Sequence, residues 1–350
     1  MKPSLLKFST LKSSALKSSA PLFLGLAAFG LVACSAVNDA ADTAGSAAQA
    51  AGDAAGTLKD KMDDGASAAV AAIDRALPAP SGGLKTASIG NNLYVIFGPG
   101  GNIGVSIGSD GVFIIDDKFK KNADDILAQI KGLTDQPLRY VVNTHYHGDH
   151  TGSNAEMAAA GATLMAHENV RKRMGMTFEN KTWGRTTNAV DEALWPTSVY
   201  SDSKSMTFNG HTVNMIYAPG HTDGDSLVHI QEANTLHMGD NYFNGLFPYI
   251  DVDAGGSVAG MLAAHDAALA LSDDDTKIIP GHGPMASKAD LQGARDMLSD
   301  IHERVKARID AGDSLETILA ANILNDYAQY ASFIDEANMV RITYRSITGN

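Results

Sequence analysis

Within six residues the chain places His145, His147, Asp149 and His150, in the run His145-Tyr146-His147-Gly148-Asp149-His150. Imidazoles and carboxylates bind first-row divalent metals when no thiolate is at hand. The run follows an apolar stretch, Tyr140-Val141-Val142-Asn143. Residues two apart lie on different faces of a helix but share a face of an extended segment. His145 and His147 can therefore aim at one point, and Asp149 and His150, in the turn beyond, at a second point nearby. The spacing predicts two adjacent metal sites at the carboxyl end of a strand.

Three further donors stand where strand-like stretches end: His221 in Pro219-Gly220-His221-Thr222, Asp240 in His237-Met238-Gly239-Asp240, and His282 in Pro280-Gly281-His282-Gly283. The adjoining glycines let the backbone turn sharply and approach a site closely. Loops held by a rigid scaffold are the usual carriers of binding groups.

The elements that must position these loops are legible from about Leu84 onward. Asn92–Phe97, Gly104–Ile107 and Val112–Ile115 read as strands, the last ending at Asp116-Asp117. A helix with Ile126, Ile130 and Leu133 precedes the strand into His145, and Thr163–Ala166 followed by a helix from Glu168 comes after it. Residues 177–198, with Trp183 and Trp195, read as a long loop able to cover a substrate. Strand pairs follow at Ser205–Phe208 with Thr212–Ala218 and at Ser226–Gln231 with Thr235–Met238. A helix over Val258–Leu271, a strand at Lys277–Ile279 and a helical tail from Lys288 complete the chain. Strands early, strands again late and helices between predict an α/β fold with two sheets and helices outside.

The segment before Leu84 has a different composition. Lys2, Lys7, Lys12 and Lys17 without an acidic residue, then apolar Leu22 to Val32, have the layout of an export signal. The stretch ends in Leu31-Val32-Ala33-Cys34, and Cys34 is the only cysteine. Small residues before a lone cysteine resemble a bacterial lipobox. That implies cleavage after residue 33, lipidation of Cys34 and a membrane-anchored protein facing the periplasm, with the outer membrane expected because Ser35 follows. Residues 34–83, rich in Ala, Gly, Asp and Ser, cannot bury a core and read as a tether to a domain over 84–350. The formal net charge is −13, and loss of the basic leader makes it more negative still. Such a balance disfavours nucleic acid as a partner. With no cysteine beyond Cys34, any metal in the folded part is held by His, Asp or Glu.

Taken together, His-x-His-x-Asp-His, a glycine-flanked His, an Asp and a last His resemble the metallo-β-lactamase superfamily over roughly residues 85–285. The resemblance implies a four-layer αββα sandwich. It assigns His145, His147 and His221 to one metal, Asp149, His150 and His282 to a second, and Asp240 to both. Asp116 matches a conserved carboxylate that orients a ligand. Two zinc ions are the implied cofactor, and iron or manganese also suit this donor set. The implied chemistry is hydrolysis of a small molecule by hydroxide attack on a carbonyl carbon, with Asp149 and Asp240 as the catalytic carboxylates. A cyclic amide such as a β-lactam is the leading substrate. Lactones, esters and thioesters are the alternative, because Asp240 stands where many zinc β-lactamases have Cys or Ser. A mononuclear-iron persulfide dioxygenase is the redox alternative. Asn241, Tyr242 and Asn244 are candidate oxyanion donors. His167 reads as a helix cap, His237 as a buried strand residue, and His211, His229, His265 and His302 as structural or surface groups.

Overall fold

The computed structural model describes residues 83–349; the export signal, the tether and Cys34 lie outside the described residues. The first half of the domain runs β1 (Lys85–Gly90), β2 (Leu93–Phe97), β3 (Ile103–Gly108), β4 (Gly111–Ile115), α1 (Ala123–Leu133) and β5 (Leu138–Val142). Short helices α2 (Gly148–Thr151) and α3 (Asn154–Ala159) lead to β6 (Thr163–His167) and α4 (Glu168–Met174). Strands β7 (Phe178–Asn180), β8 (Arg185–Thr187) and β9 (Ser198–Tyr200) follow. The second half contains β10 (Ser203–Phe208), β11 (His211–Tyr217), β12 (Ser226–Ile230), β13 (Thr235–His237), α5 (Val258–Leu271) and β14 (Lys277–Ile279). Helices α6 (Lys288–Asp310), α7 (Leu315–Ala320) and α8 (Glu336–Thr348) end the chain.

These elements form a seven-stranded sheet, β1-β2-β3-β4-β5-β6-β9, and a five-stranded sheet, β10-β11-β12-β13-β14. Strand β4 shows how the layers form. All five of its residues are buried, and successive side chains point to opposite faces. Phe113 and Ile115 meet Met215 and Val228 between the sheets. Val112 and Ile114 meet Ile126 and Ile130 of α1 on the outside. On the far side, Leu227 and Leu236 pack against Ala264, Ala268 and Leu291 of α5 and α6. The result is the αββα sandwich expected from the sequence, with each fully buried Ile or Phe contributing roughly 1.5–3 kcal/mol. Helix α5 carries apolar residues on more than one face because Val258 and Met261 also pack against the C-terminal helices.

Local chemistry sets the turns and ends. Asn209-Gly210, both at positive φ, close the two-residue hairpin between Phe208 and His211. Ser287 and Asp290 form a reciprocal capping box at the start of α6. One expectation needs correction. Residues 177–198 are not simply a loop, because Phe178–Asn180 and Arg185–Thr187 pair as a small hairpin and Ser198 begins an edge strand beside β6.

Strand direction positions the site. β4 and β5 run parallel in the first sheet. In the second, β11 and β13 are both antiparallel to β12, and β14 is parallel to β13. The carboxyl ends of β11, β13 and β14 therefore share one edge, and the loops after β4 and β5 meet them there.

Candidate metal centre

The seven side chains expected as ligands come together at that edge in two adjacent groups, His145, His147, His221 and Asp240 beside Asp149, His150 and His282. In the first group His145 Nε2 lies 3.0 Å from His147 Nδ1, which is 2.8 Å from His221 Nε2. Asp240 faces both groups. Its Oδ2 is 3.7 Å from His145 Nε2 and 3.6 Å from His221 Nε2. Its Oδ1 is 3.1 Å from His150 Nε2 and 3.4 Å from His282 Nε2. Asp149 Oδ2 closes the second group at 3.3 Å from His282 Nε2. Donors around a tetrahedral zinc at 2.0–2.1 Å lie about 3.3 Å from one another, so both groups have the right size for an ion.

The other ring nitrogens decide which atoms carry lone pairs. His150 Nδ1 donates to Asp116 Oδ2 at 2.7 Å, and His221 Nδ1 to the Tyr249 carbonyl at 2.7 Å. His147 Nε2 donates to Asp251 Oδ2 at 3.0 Å. His145 Nδ1 donates to Thr144 Oγ1 at 3.1 Å, which passes its own hydrogen to Asp116 Oδ2 at 2.8 Å. The nitrogens that face one another in the first group thus have no hydrogen to offer each other. They sit at hydrogen-bonding distance and need a cation between them. In the second group, His150 Nε2, His282 Nε2 and Asp240 Oδ1 are buried without a well-directed hydrogen bond, an arrangement that a metal would complete.

Charge tells the same story. Burial, reinforced by neighbouring imidazoles, lowers the proton affinity of His145 and brings His221 down to about 4. In the second group burial works against the charged forms, yet opposite charges outweigh it. Asp240 and Asp149 raise His282 to about 9, while His150 and His282 hold Asp149 down to about 2. The second group is built around positive charge, which protons or a metal can supply.

Asp116 is held at φ 65, a backbone region that Asp tolerates better than most residues. There its carboxylate takes the Thr144 amide at 2.7 Å as well as the two donors above. Gly281 is required by space, because a Cβ there would stand 2.0 Å from Asp240 Oδ1. Asp225 accepts from the Gly220 and Thr222 amides and shapes the turn that presents His221. Asp251, Thr144, Asp225 and Tyr249 escaped the sequence reading. Asp251 is 104 residues from His147, and only the three-residue spacing of Thr222 and Asp225 offered a local cue.

Other expectations resolve as follows. His167 caps α4 by accepting from Asn169 N, and His237 is buried, donating to the Asn102 carbonyl. Asn241 binds His221 N and the Ala218 carbonyl. Tyr242 binds Asn244, whose amide binds Pro284 and Met285 carbonyls. The three are committed to the loop and are not available as oxyanion donors. Trp195 binds the Val190 carbonyl within its own loop. Trp183 lines a pocket of about 290 Å³ whose floor includes His147, Asp149 and Asp240.

A profile of the metallo-beta-lactamase superfamily matches residues 94–282, and the chain belongs to that superfamily. It is 30% identical over 198 residues to a hydroxyacylglutathione hydrolase of Polaromonas sp., covering 52% of this chain and 65% of that protein. A Beta-lactamase-like protein 2 homolog of Caenorhabditis elegans is 25% identical over 190 residues, covering 52% and 56%. The chain thus spans less than two thirds of the length of the curated relatives it matches. Among solved structures, a metallo-beta-lactamase from Pontibacter korlensis superposes with a TM-score of 0.51 at 16% identity, covering 62% of this chain and 99% of that one. The stereoselective inverting sec-alkylsulfatase Pisa1 from Pseudomonas sp. superposes with 0.58 at 17% identity, covering 76% and 50%. These two likenesses concern the fold.

Proposed function

We propose that this chain is a dinuclear metal-dependent hydrolase of a small molecule. His145, His147 and His221 would hold one ion, Asp149, His150 and His282 the other, and Asp240, which faces both groups, would serve both. The observation that carries the reading is the convergence of five imidazoles and two carboxylates beneath one pocket that His147, Asp149 and Asp240 line. Zinc is the favoured ion for five imidazoles with carboxylates and no thiolate. Two such ions activate water near neutral pH and stabilise developing negative charge.

The chain's own residues supply the rest. Asp116 and Asp251 fix the tautomers and ring orientations of His150 and His147. Asp149, ionised at neutral pH and open to the pocket, accepts a hydrogen bond and then a proton from the attacking water. A carbonyl substrate fits, with a β-lactam as one case. The second case is a thioester or ester, favoured by Asp240 and by similarity to a hydroxyacylglutathione hydrolase. A hydrolysis screen of the zinc-loaded chain against β-lactams, lactones and thioesters tests the proposal. Oxygen consumption by an iron-loaded sample without any hydrolysis would favour the persulfide dioxygenase instead.

We also propose lipid anchoring through Cys34. Cys34→Ala is expected to move the protein from the membrane to the soluble fraction with turnover unchanged. Retention in membranes would replace the lipobox with an uncleaved anchor.

A further inference from the structure

The hairpin of β7 and β8 forms one wall of the pocket, and its register fixes which side chains look inward. Asn180 pairs with Arg185, and Glu179 with Thr186. Residues directly opposite on antiparallel strands project to the same face, with Cβ atoms ~4.5–5.5 Å apart. Asn180 is buried and sends its Nδ2 to the Tyr249 hydroxyl at 3.3 Å. The Tyr249 ring stacks on His147, with centroids 5.9 Å apart and planes at 29°. The Asn180–Arg185 face therefore looks toward the metal centre. Glu179 and Thr186, bonded to each other at 2.8 Å, take the exposed face.

Arg185 lines the pocket, and among the described residues no carboxylate answers it. The other lining guanidinium, Arg173, is saturated by both oxygens of Asp223 at 2.7–3.1 Å. Asp149, Asp240 and Asp251 are engaged by histidines. An inward cation with no acidic partner among the described residues, in a chain of net charge −13, is unusual. Beside it, Trp183 and Phe333 form an apolar surface with ring centroids 5.3 Å apart.

We propose that Arg185 is an anion-recognition point, and that the substrate is an organic acid with an apolar body and one carboxylate. The apolar part packs on Trp183 and Phe333, and the carboxylate meets the planar fork of Arg185. The bond to be hydrolysed is thereby held over the ligand clusters. This assignment deepens the hydrolase reading and rests on it for what happens to the bound acid, but the binding step can be tested alone.

The test is calorimetric titration of the zinc-loaded full chain with 4-phenylbutyrate and with its neutral amide, 4-phenylbutanamide. Wild type is expected to bind the acid about tenfold or more tightly than the amide, as a charge-assisted pair allows. Arg185→Gln should abolish that preference by weakening the acid alone, and Arg185→Lys should restore part of it. A preference that persists in Arg185→Gln would mean that the carboxylate binds the metals instead, and the inference fails. It fails equally if wild type binds neither ligand or does not prefer the acid. If the acid preference depends on Arg185 but no ester, amide or thioester is cleaved, the binding site stands and the hydrolase reading falls.

Discussion

The His145–His147–His221 group and the Asp149–His150–His282 group lie side by side on one sheet edge, yet they handle charge in opposite ways. In the first, burial and neighbouring imidazoles drive protons off His145 and His221, with His221 down to about 4. In the second, two carboxylates overcome burial and retain protons, with His282 up to about 9. A metal entering the first group meets lone pairs on His145 and His221 that are already free. A metal entering the second must expel protons that the site holds firmly. The difference teaches that ligand identity alone does not set metal occupancy; the charge each group keeps when empty matters as much.

Asp240 joins the two groups, so its loss is the severest way to break the comparison. Asp240→Ala is expected to lower turnover roughly 10²-fold or more and to weaken the second ion most, with little change in the melting temperature. Elemental analysis beside kinetics and a thermal melt checks this. Full turnover with two tightly held ions would reduce Asp240 to a turn residue.

The supporting carboxylates allow a sharper separation. Asp116→Asn disturbs the tautomer of His150 directly, and Asp251→Asn that of His147. Each should cost its own ion about 10–100-fold in affinity. Asp251→Asn should leave the second ion nearly untouched, whereas Asp116→Asn should also reach His145 through Thr144. Competition with a chromophoric chelator resolves the two binding steps, and equal losses at both sites in both variants would contradict the division.

A pH series probes the comparison most gently. Because the raised proton affinity of His282 favours its charged form below about pH 9, affinity at the second group should fall as pH drops below that value. The slope is about tenfold per unit for each proton displaced. His221 stays neutral until pH approaches 4, and His145 is lowered as well, so the first ion should be held to a lower pH than the second. Metal titrations between about pH 6 and 9 should show one ion held and one progressively lost. Parallel loss of both would show that the groups titrate as one unit.

What could be read from the chain beforehand follows from how local each signal is. His145 to His150, and the glycine-flanked His221 and His282, announce themselves within a few residues because ligand, turn and preceding strand are contiguous. The strands between the sheets were legible for the same reason, as in the fully apolar run of β4. The hairpin of β7 and β8 was not, because its three-residue strands gain their order from distant partners. Thr182 binds Asp253, and Asn180 binds Tyr249. Asp251 was hidden likewise, since nothing in Pro248-Tyr249-Ile250-Asp251 marks a partner for a histidine 104 residues earlier. The rejected oxyanion donors teach the converse. Asn241 and Tyr242 are adjacent to Asp240 in sequence, but their polar atoms hold the loop in place.

Arg345, near the end of α8, binds Asp253 at 2.6 Å and also reaches Thr182 at the tip of the hairpin. Phe333 lies against Trp183 from the same side. Both belong to a stretch beyond residue 282, where the match to the superfamily ends. The candidate metal ligands thus all lie within the matched stretch, while part of the proposed substrate surface, and a brace on the hairpin that carries the rest, come from beyond it. Evolution can redraw the tail, and with it the tilt of the hairpin that carries Arg185, without touching a single group assigned to metal. Two descendants of one ancestor could then keep identical chemistry while feeding on unrelated compounds.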